Sequence, residues 1–364
     1  MADTLHRGER EHMAINGLES KFAELSAALK GVKSITVLCH DNPDPDALAS
    51  MMGLRYLFTR HLKIKTRLAY GGEIGRAENQ AMVRLLKIPA DHIDNLRVRK
   101  DTRFALVDTQ PQFRNNSLPN GARVDVVFDH HPPPKKLNST FSHVGRELGA
   151  TSTMIYNYIR QANLEIDSRL ATAFAYALIS ETQDLGRETS REDIRVYQEL
   201  IPVTNLRILS NIRFPLLPHD YFRSLHQALE CTFFYKNIVI TRLGAVESTD
   251  MIHQMADLFL RFERRSWSLC IGRNEEFLLL RLRSSNVRAR CGRMISRLVR
   301  GIGHAGGHDM VAGGRIRIDN REDRDIQRIE ELVITRLLKT LGHPGDPDIM
   351  VPLVGIEEEH GKMP

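Results

Sequence analysis

The sequence predicts an α/β protein: a doubly wound N-terminal domain with a mainly parallel sheet, followed by a smaller α+β C-terminal domain. Three observations predict it. Apolar, β-branched runs alternate with helical stretches through the first half of the chain, the pattern of a sheet wrapped by helices. Three of those runs end directly in acids and histidines, and a parallel sheet gathers the carboxyl ends of its strands along one edge, where ligands bind. The chain has 364 residues, enough for two cores.

The elements follow in order. A polar lead over residues 1–33 ends in an amphipathic helix from Leu18 to Leu29, with Phe22, Leu25, Ala28 and Leu29 on one face. Ile35 to Cys39 is the first strand and leads into His40-Asp41-Asn42-Pro43-Asp44-Pro45-Asp46. A helix from Ala47 to His61 comes next, then a strand from Ile64 to Tyr70 ended by Gly71-Gly72. Arg76 to Leu86 is helical and stops before Pro89. Phe104 to Val107 precedes Asp108, and Val124 to Phe128 precedes Asp129-His130-His131, which Pro132-Pro133-Pro134 ends abruptly. Thr151 to Gln161 and Ser168 to Ser180 are helices. Residues 187–230 are polar, mostly helical and broken by Pro202, Pro215 and Pro218, so the stretch 191–230 reads as a connector. Phe233 to Leu243, Arg265 to Ile271, Glu276 to Leu282 and Val311 to Ile318 are strands of the second domain. Its helices run from Met251 to Phe262, Val287 to Val299 and Asp325 to Leu341, and residues 343–364 form a tail.

Composition is ordinary for a globular protein, with 42% hydrophobic and 26% charged residues. No apolar run approaches the roughly 20 residues that span a bilayer. The polar start from Met1 to Glu11 lacks an apolar signal core and argues against secretion. Cys39, Cys231, Cys270 and Cys291 are scattered without paired spacing, which fits a reducing cytoplasm and no disulfide framework. The net charge of +6 is modest, yet eleven arginines, no lysines and three glutamates lie between Arg261 and Arg300. Arginine suits bidentate contact with phosphate.

Asp44 and Asp46 are one residue apart, with Pro43 and Pro45 stiffening the chain between them. Side chains so placed can serve two neighbouring metal ions. His40 can join Asp44 on one ion, and Asp108, at the end of another strand, can bridge both. Hard carboxylates and imidazoles together suit Mn²⁺ or Mg²⁺, and two such ions about 3.5–4 Å apart activate water and clamp a phosphoryl group. Singly, each residue has a plainer reading: Asp46 also stands where a cap for the helix beginning at Ala47 belongs. Their joint occurrence at successive strand ends favours the metal site.

The ordered set His40-x-x-x-Asp44-x-Asp46, Asp108, Asp129-His130-His131 and Asp184 resembles the DHH phosphoesterase superfamily. Its members include RecJ-type exonucleases, family II inorganic pyrophosphatases, exopolyphosphatases and NrnA-type oligoribonucleases. The resemblance implies a catalytic domain over 34–190 and a cleft between the two domains. It implies that His40, Asp44 and Asp108 hold one ion, and that Asp46, Asp108, His130 and Asp184 hold the other. The ions implied are Mn²⁺ first, with Mg²⁺ or Co²⁺ as substitutes. His131 is then expected beside the scissile phosphate, Asp129 as the carboxylate orienting the histidine pair, and Asn42 against substrate or a water. The family's fourth motif is usually Asp-Thr-Gly; here Asp184-Leu185-Gly186 keeps the acid and loses the Thr.

In the second half, Gly306-Gly307-His308-Asp309-Met310-Val311-Ala312-Gly313 resembles the Gly-Gly-His signature of the DHH-associated substrate-binding domain, expected over 231–342. Leu282-Arg283-Ser284-Ser285 resembles that domain's strand-end Arg-Ser element. The resemblance implies that Arg283, Ser284, Gly306, Gly307 and His308 hold a substrate phosphate or base. The compact plan looks most like the NrnA type, which implies hydrolysis of short oligoribonucleotides to mononucleotides and of 3′-phosphoadenosine 5′-phosphate. The alternatives are a cyclic di-AMP or pApA phosphodiesterase and a RecJ-like single-strand exonuclease. A non-enzymatic nucleotide sensor would be expected to lack ligands that are present here. The partners expected are a short RNA or small nucleotide and a second copy of the chain as a homodimer, without a membrane.

Overall fold

The structure, a computed structural model, describes residues 17–113, 115–132, 136–307, 309–319 and 321–354. The chain divides into two compact units at Leu216/Leu217, inside the stretch expected to be a connector.

In the first unit, α1 covers residues 17–28; Leu25 within it and Leu29 just after it are buried in the main core. Strands β1 (Ser34–Leu38), β2 (Lys65–Tyr70), β3 (Ala90–His92), β4 (Arg103–Val107), β5 (Arg123–Asp129) and β6 (Phe141–Val144) form one sheet in the order β3-β2-β1-β4-β5-β6. Every pairing in it is parallel. The direction of winding reverses between β1 and β4, and a ligand crevice opens at such a switch point beyond the carboxyl ends of the strands. Two of these strands, β3 and β6, were not anticipated; at three and four residues each is too short to show a period.

The helices are α2 (Pro45–Arg60), α3 (Ala77–Leu85), α4 (Thr151–Gln161), α5 (Ser168–Glu181), α6 (Arg191–Leu200) and α7 (Leu206–Arg213). Gly53 lets α2 lie close to its neighbours: a Cβ there would stand 2.6 Å from Phe174 Cζ and 2.7 Å from Ile155 Cγ2. Helices α6 and α7 are part of this unit, since Val196, Leu200, Leu209 and Ile212 are buried in the same core. Asp193, fully buried, ties α6 down by accepting from Gly149 N, Thr153 Oγ1 and Ser190 N.

In the second unit, α8 is His219–Glu230, and the strands are β7 (Thr232–Tyr235), β8 (Ile238–Ala245), β9 (Trp267–Asn274), β10 (Phe277–Ser284), β11 (His304–Gly307), β12 (Val311–Arg317) and β13 (Val351–Pro352). The expected single strand from Phe233 to Leu243 is a hairpin. Lys236 takes a left-handed φ of 50° and turns the chain, with Asn237 following. The sheet order is β11-β12-β10-β9-β8-β7-β13, mixed, with β8 and β9 parallel. Part of the expected tail therefore joins the sheet through β13. Helices α10 (Cys291–Leu298) and α11 (Asp323–Thr340) cover one face, while α8 and α9 (Thr249–Phe259) cover the other.

Candidate metal centre

Three strand ends build the site. The chain leaves β1 through His40 to Asp46, with Asn42 in the left-handed region at φ 56°. Asn42 is seated against the turn after β2: its N–H donates to Gly71 O at 2.9 Å, and its Oδ1 accepts from Glu73 N at 2.8 Å. Gly72 is required there, because a Cβ would stand 2.5 Å from Asn42 Oδ1. Asp44 caps α2, its Oδ1 accepting from Ala47 N at 2.9 Å, which leaves Oδ2 directed to His40 Nε2 at 3.6 Å. Asp108, also left-handed at φ 56°, follows β4 and is buried. Side chains of Asp and Asn tolerate this conformation better than most, and non-glycine residues held in it gather at functional sites.

Two donor groups result, and Asp108 belongs to both. His40, Asp44 and Asp108 offer ligand atoms within 4.8 Å of one another, as do Asp108, His130 and His131. His40 Nε2 is 3.5 Å from Asp108 Oδ2, while His130 Nε2 is 3.6 Å and His131 Nδ1 3.8 Å from Asp108 Oδ1. The sharing of Asp108 between its two carboxylate oxygens is the geometry of a bridging ligand.

Around this cluster the protein fixes each donor. Asp129, the last residue of β5, holds His131 Nδ1 at 2.7 Å and accepts from Gln110 Nε2 at 2.6 Å. Thr151, buried at the start of α4, donates its hydroxyl to Asp108 Oδ1 at 2.9 Å and accepts from His130 N at 3.2 Å. Sequence reasoning missed Thr151, which is 43 residues from Asp108. Asp46 does not cap α2. Its two oxygens accept from Thr151 N at 2.7 Å and Ser152 N at 2.9 Å, so it caps α4 instead, 105 residues away.

Electrostatics bind the group together. Burial lowers the affinity of His40 for a proton, but Asp44 and Asp108 reverse this and hold its pKa well above the usual range. Burial likewise opposes protonation of His131, and the hydrogen bond to Asp129 with the charge of Asp108 raises it to about 9. Burial and the charge of Asp108 push Asp46 up to about 8. Burial would raise Asp108, yet the three histidines hold it below the normal carboxylate range. A divalent cation held among these donors would compete with protons for the same imidazole nitrogens and carboxylate oxygens.

Two expected ligands stand outside these donor groups: Asp46, whose two oxygens are taken by the amino end of α4, and Asp184. Asp184 has a side chain 65% exposed and pairs with Arg213, whose Nη2 lies 2.8 Å from Oδ1. Gln183, Asp184 and Leu185 all take positive φ, a left-handed turn that reverses the chain after α5 and carries Asp184 away. Glu181, in the last turn of α5, is the acid the cluster feels. Burial and then the charge of Asp44 raise it to about 7, and it acts in turn on Asp46, His130 and His131. Arg187 Nη2 lies 3.7 Å from Glu181 Oε1. The signal was present in the sequence: Glu181-Thr182 is an acid followed by Thr, three residues before the Asp184 chosen as the motif's acid.

Arg283 and Ser284, expected to hold substrate, make their contacts inside the second unit. Arg283 is 5% exposed; its Nε donates to Asp257 Oδ1 and its Nη2 lies 3.3 Å from His253 Nδ1, both on α9. Ser284 Oγ donates to Ser266 O at 2.9 Å. Alternation along β10 turns Leu278, Leu280 and Leu282 into one core and Arg281 and Arg283 toward α9, so both side chains serve the unit internally. Gly306 and Gly307 lie in the edge strand β11, where Gly307 at φ 150° has Ala312 Cα 2.4 Å from the place of a Cβ. His308 lies outside the described residues.

Among the described residues no helix is long and apolar enough to cross a membrane. The fold is similar to that in the crystal structure of an exopolyphosphatase-related protein from Bacteroides fragilis, with a TM-score of 0.70 and 15% identity, covering 86% of this chain and 95% of that one. An uncharacterized protein of Methanocaldococcus jannaschii is 29% identical over 85% of this chain and 64% of its own length. A probable manganese-dependent inorganic pyrophosphatase of Enterococcus faecalis is 25% identical over 49% of this chain and 58% of its own length. The chain thus spans less than two thirds of the length of these curated relatives. The DHH family N-terminal domain matches residues 34–179. The donors His40, Asp44, Asp108, His130 and His131 all lie within the segment that matches the DHH family N-terminal domain, at or beside the ends of its parallel strands.

Proposed function

We propose that the protein is a phosphoester hydrolase dependent on two divalent ions, Mn²⁺ before Mg²⁺ or Co²⁺, acting on a short oligoribonucleotide or a nucleotide phosphate. The observation that carries this reading is the pair of donor triads sharing Asp108. Carboxylate oxygens and imidazole nitrogens, without thiolate, form a donor set that fits hard divalent cations. His40, Asp44 and Asp108 would hold one ion; Asp108 and His130 would hold the other, with Glu181 in the place expected of Asp184. Ions bound there would supply Lewis-acid activation of water and neutralise charge on the phosphoryl oxygens.

The remaining side chains have their own tasks. His131, oriented by Asp129, donates a hydrogen bond to a phosphoryl oxygen or passes a proton to the leaving group. Gln110 locks Asp129 from behind, so the pair keeps its orientation. Thr151 holds Asp108 and the backbone of His130 together.

A nucleoside rather than bare pyrophosphate is favoured by Phe113. Its ring stands edge-on to His131 with centroids 6.4 Å apart, an apolar face beside the reacting position that a base can cover. The loop bearing it is fixed by Asn116, whose Nδ2 donates to Gln110 O and Phe113 O, and by Thr109 Oγ1, which donates to Asn115 Oδ1. The second reading is pyrophosphate hydrolysis, favoured by the similarity of the first half to probable manganese-dependent pyrophosphatases. A panel assay with Mn²⁺ separates them. Dinucleotides, five-mers, 3′-phosphoadenosine 5′-phosphate, cyclic di-AMP and pyrophosphate are compared as substrates. Turnover of pyrophosphate alone would overturn the nucleotide reading, and no Mn²⁺-dependent turnover of any would overturn both.

A further inference from the structure

A second charged site lies at the other end of the first sheet. A hollow of about 380 Å³ is lined by Lys65, Arg67, Arg97, Arg99 and Arg103, with Asp101 as its single carboxylate. That volume is within the range of small-ligand sites, roughly 300–1,000 Å³. It opens at the amino ends of β1, β2 and β4, while the metal donors follow the carboxyl ends. The length of β1, about 13 Å from Ser34 to Leu38, lies between.

The placement of these cations is unusual for the strands that carry them. Both β1 and β2 are internal to the sheet. Ser34, Thr36 and Leu38 point to one face, and their register partners Lys65, Arg67 and Ala69 share it. At the carboxyl half this face is apolar: Leu38, Ala69 and Leu106 pack in a small core with Ile93 and Phe104. At the amino half it turns cationic, and the segment from Leu96 to Thr102 covers it in place of a helix.

Only one of the five cations is spent on an internal ion pair among the described residues. Arg103 is anchored, with Nη1 3.4 Å from Oδ2 of the fully buried Asp125. Lys65, Arg67, Arg97 and Arg99 have no carboxylate in ion-pair range among the described residues. Four such charges around one hollow repel one another, and a polyanion bound among them would relieve this. The hydroxyls of Ser34 and Thr36 on the floor add neutral donors. An arginine fork engages two oxygens of one phosphate at once, and several cations around one hollow suit an anion of multiple charge.

We propose that this hollow binds a small phosphorylated ligand with two or more phosphates, of about the size of a nucleoside di- or triphosphate, at a site separate from the metal centre. The test uses the full chain in excess chelator, so that a metal-dependent site contributes no binding. Inorganic tripolyphosphate and a nucleoside triphosphate are titrated calorimetrically into the wild type, Arg67→Glu/Arg97→Glu and the milder Arg67→Gln/Arg97→Gln. The expected result is saturable binding to the wild type, weakened about tenfold or more by the charge-reversing pair. The glutamine pair, which guards against misfolding of the first variant, is weakened to a lesser degree in the same direction. Mn²⁺-dependent hydrolysis of a small chromogenic phosphoester stays unchanged in both. Equal binding by wild type and variants would overturn the proposal. So would tighter binding of a single-stranded ten-mer than of the triphosphate, because that would mark a strand-tracking surface.

Discussion

Glu181 and Asp184 stand three residues apart, and substituting each in turn decides which acid serves the metal centre. Asp184 is 65% exposed and its partner Arg213 36% exposed. A pair so open to solvent contributes roughly 0–1 kcal/mol and is screened by salt. Asp184→Asn should therefore lower stability by less than about 1 kcal/mol and leave turnover within about twofold. Glu181 is different. Its side chain keeps 26% exposure, and its charge acts on Asp46, His130 and His131. Removing a carboxylate from a metal's ligand set or its immediate support costs about 10–100-fold in metal affinity or activity. Glu181→Gln should weaken Mn²⁺ binding by at least that factor in a calorimetric titration, with kcat falling in parallel. The opposite pattern would refute the reasoning: Asp184→Asn losing the metal while Glu181→Gln binds it normally.

Other substitutions test the remaining contacts. Phe113→Ala should raise KM for dinucleotides several-fold while leaving KM for pyrophosphate or a simple aryl phosphate unchanged; an equal effect on all three would deny Phe113 a base contact. Arg283→Ala should lower stability by about 1.5–3 kcal/mol in denaturant unfolding, the cost of a lost charged hydrogen bond, with KM unchanged. A raised KM at unchanged stability would restore the role in substrate binding that the sequence motif suggested. Gly53→Ala should destabilise by about 1–3 kcal/mol, because its Cβ meets Phe174 and Ile155 below 3 Å. Unaltered stability would show that α2 can draw back from α4 and α5.

The parts of the site that were legible in the sequence are those where local pattern and chemistry coincide. Val37 and Leu38, Leu106 and Val107, and Val127 and Phe128 are buried strand residues immediately upstream of the donors, and a parallel sheet necessarily brings such strand ends to one edge. Roles set by distant contacts were hidden. Asp46 looks like a cap for its own helix, and only the folded chain shows its oxygens turned to Thr151 and Ser152 on α4. The ion pair of Asp184 with Arg213 depends on the left-handed run at Gln183–Leu185, which no residue type there announces. Arg283 matched a motif, but the motif does not say which face of β10 meets a helix, and that face decides whether a guanidinium meets substrate or Asp257. The hairpin between β7 and β8 was hidden because a Lys at φ 50° is a rare way to turn a chain, and glycine is the residue usually read as such a signal.

Asp108 is proposed to serve two ions at once, and counting metal on the purified protein tests that most directly. Equilibrium dialysis against Mn²⁺ with elemental analysis should find about two ions per chain for the wild type, and Asp108→Asn should weaken both together. One ion per chain in the wild type, or an Asp108→Asn protein that retains two with unchanged affinity, would contradict it.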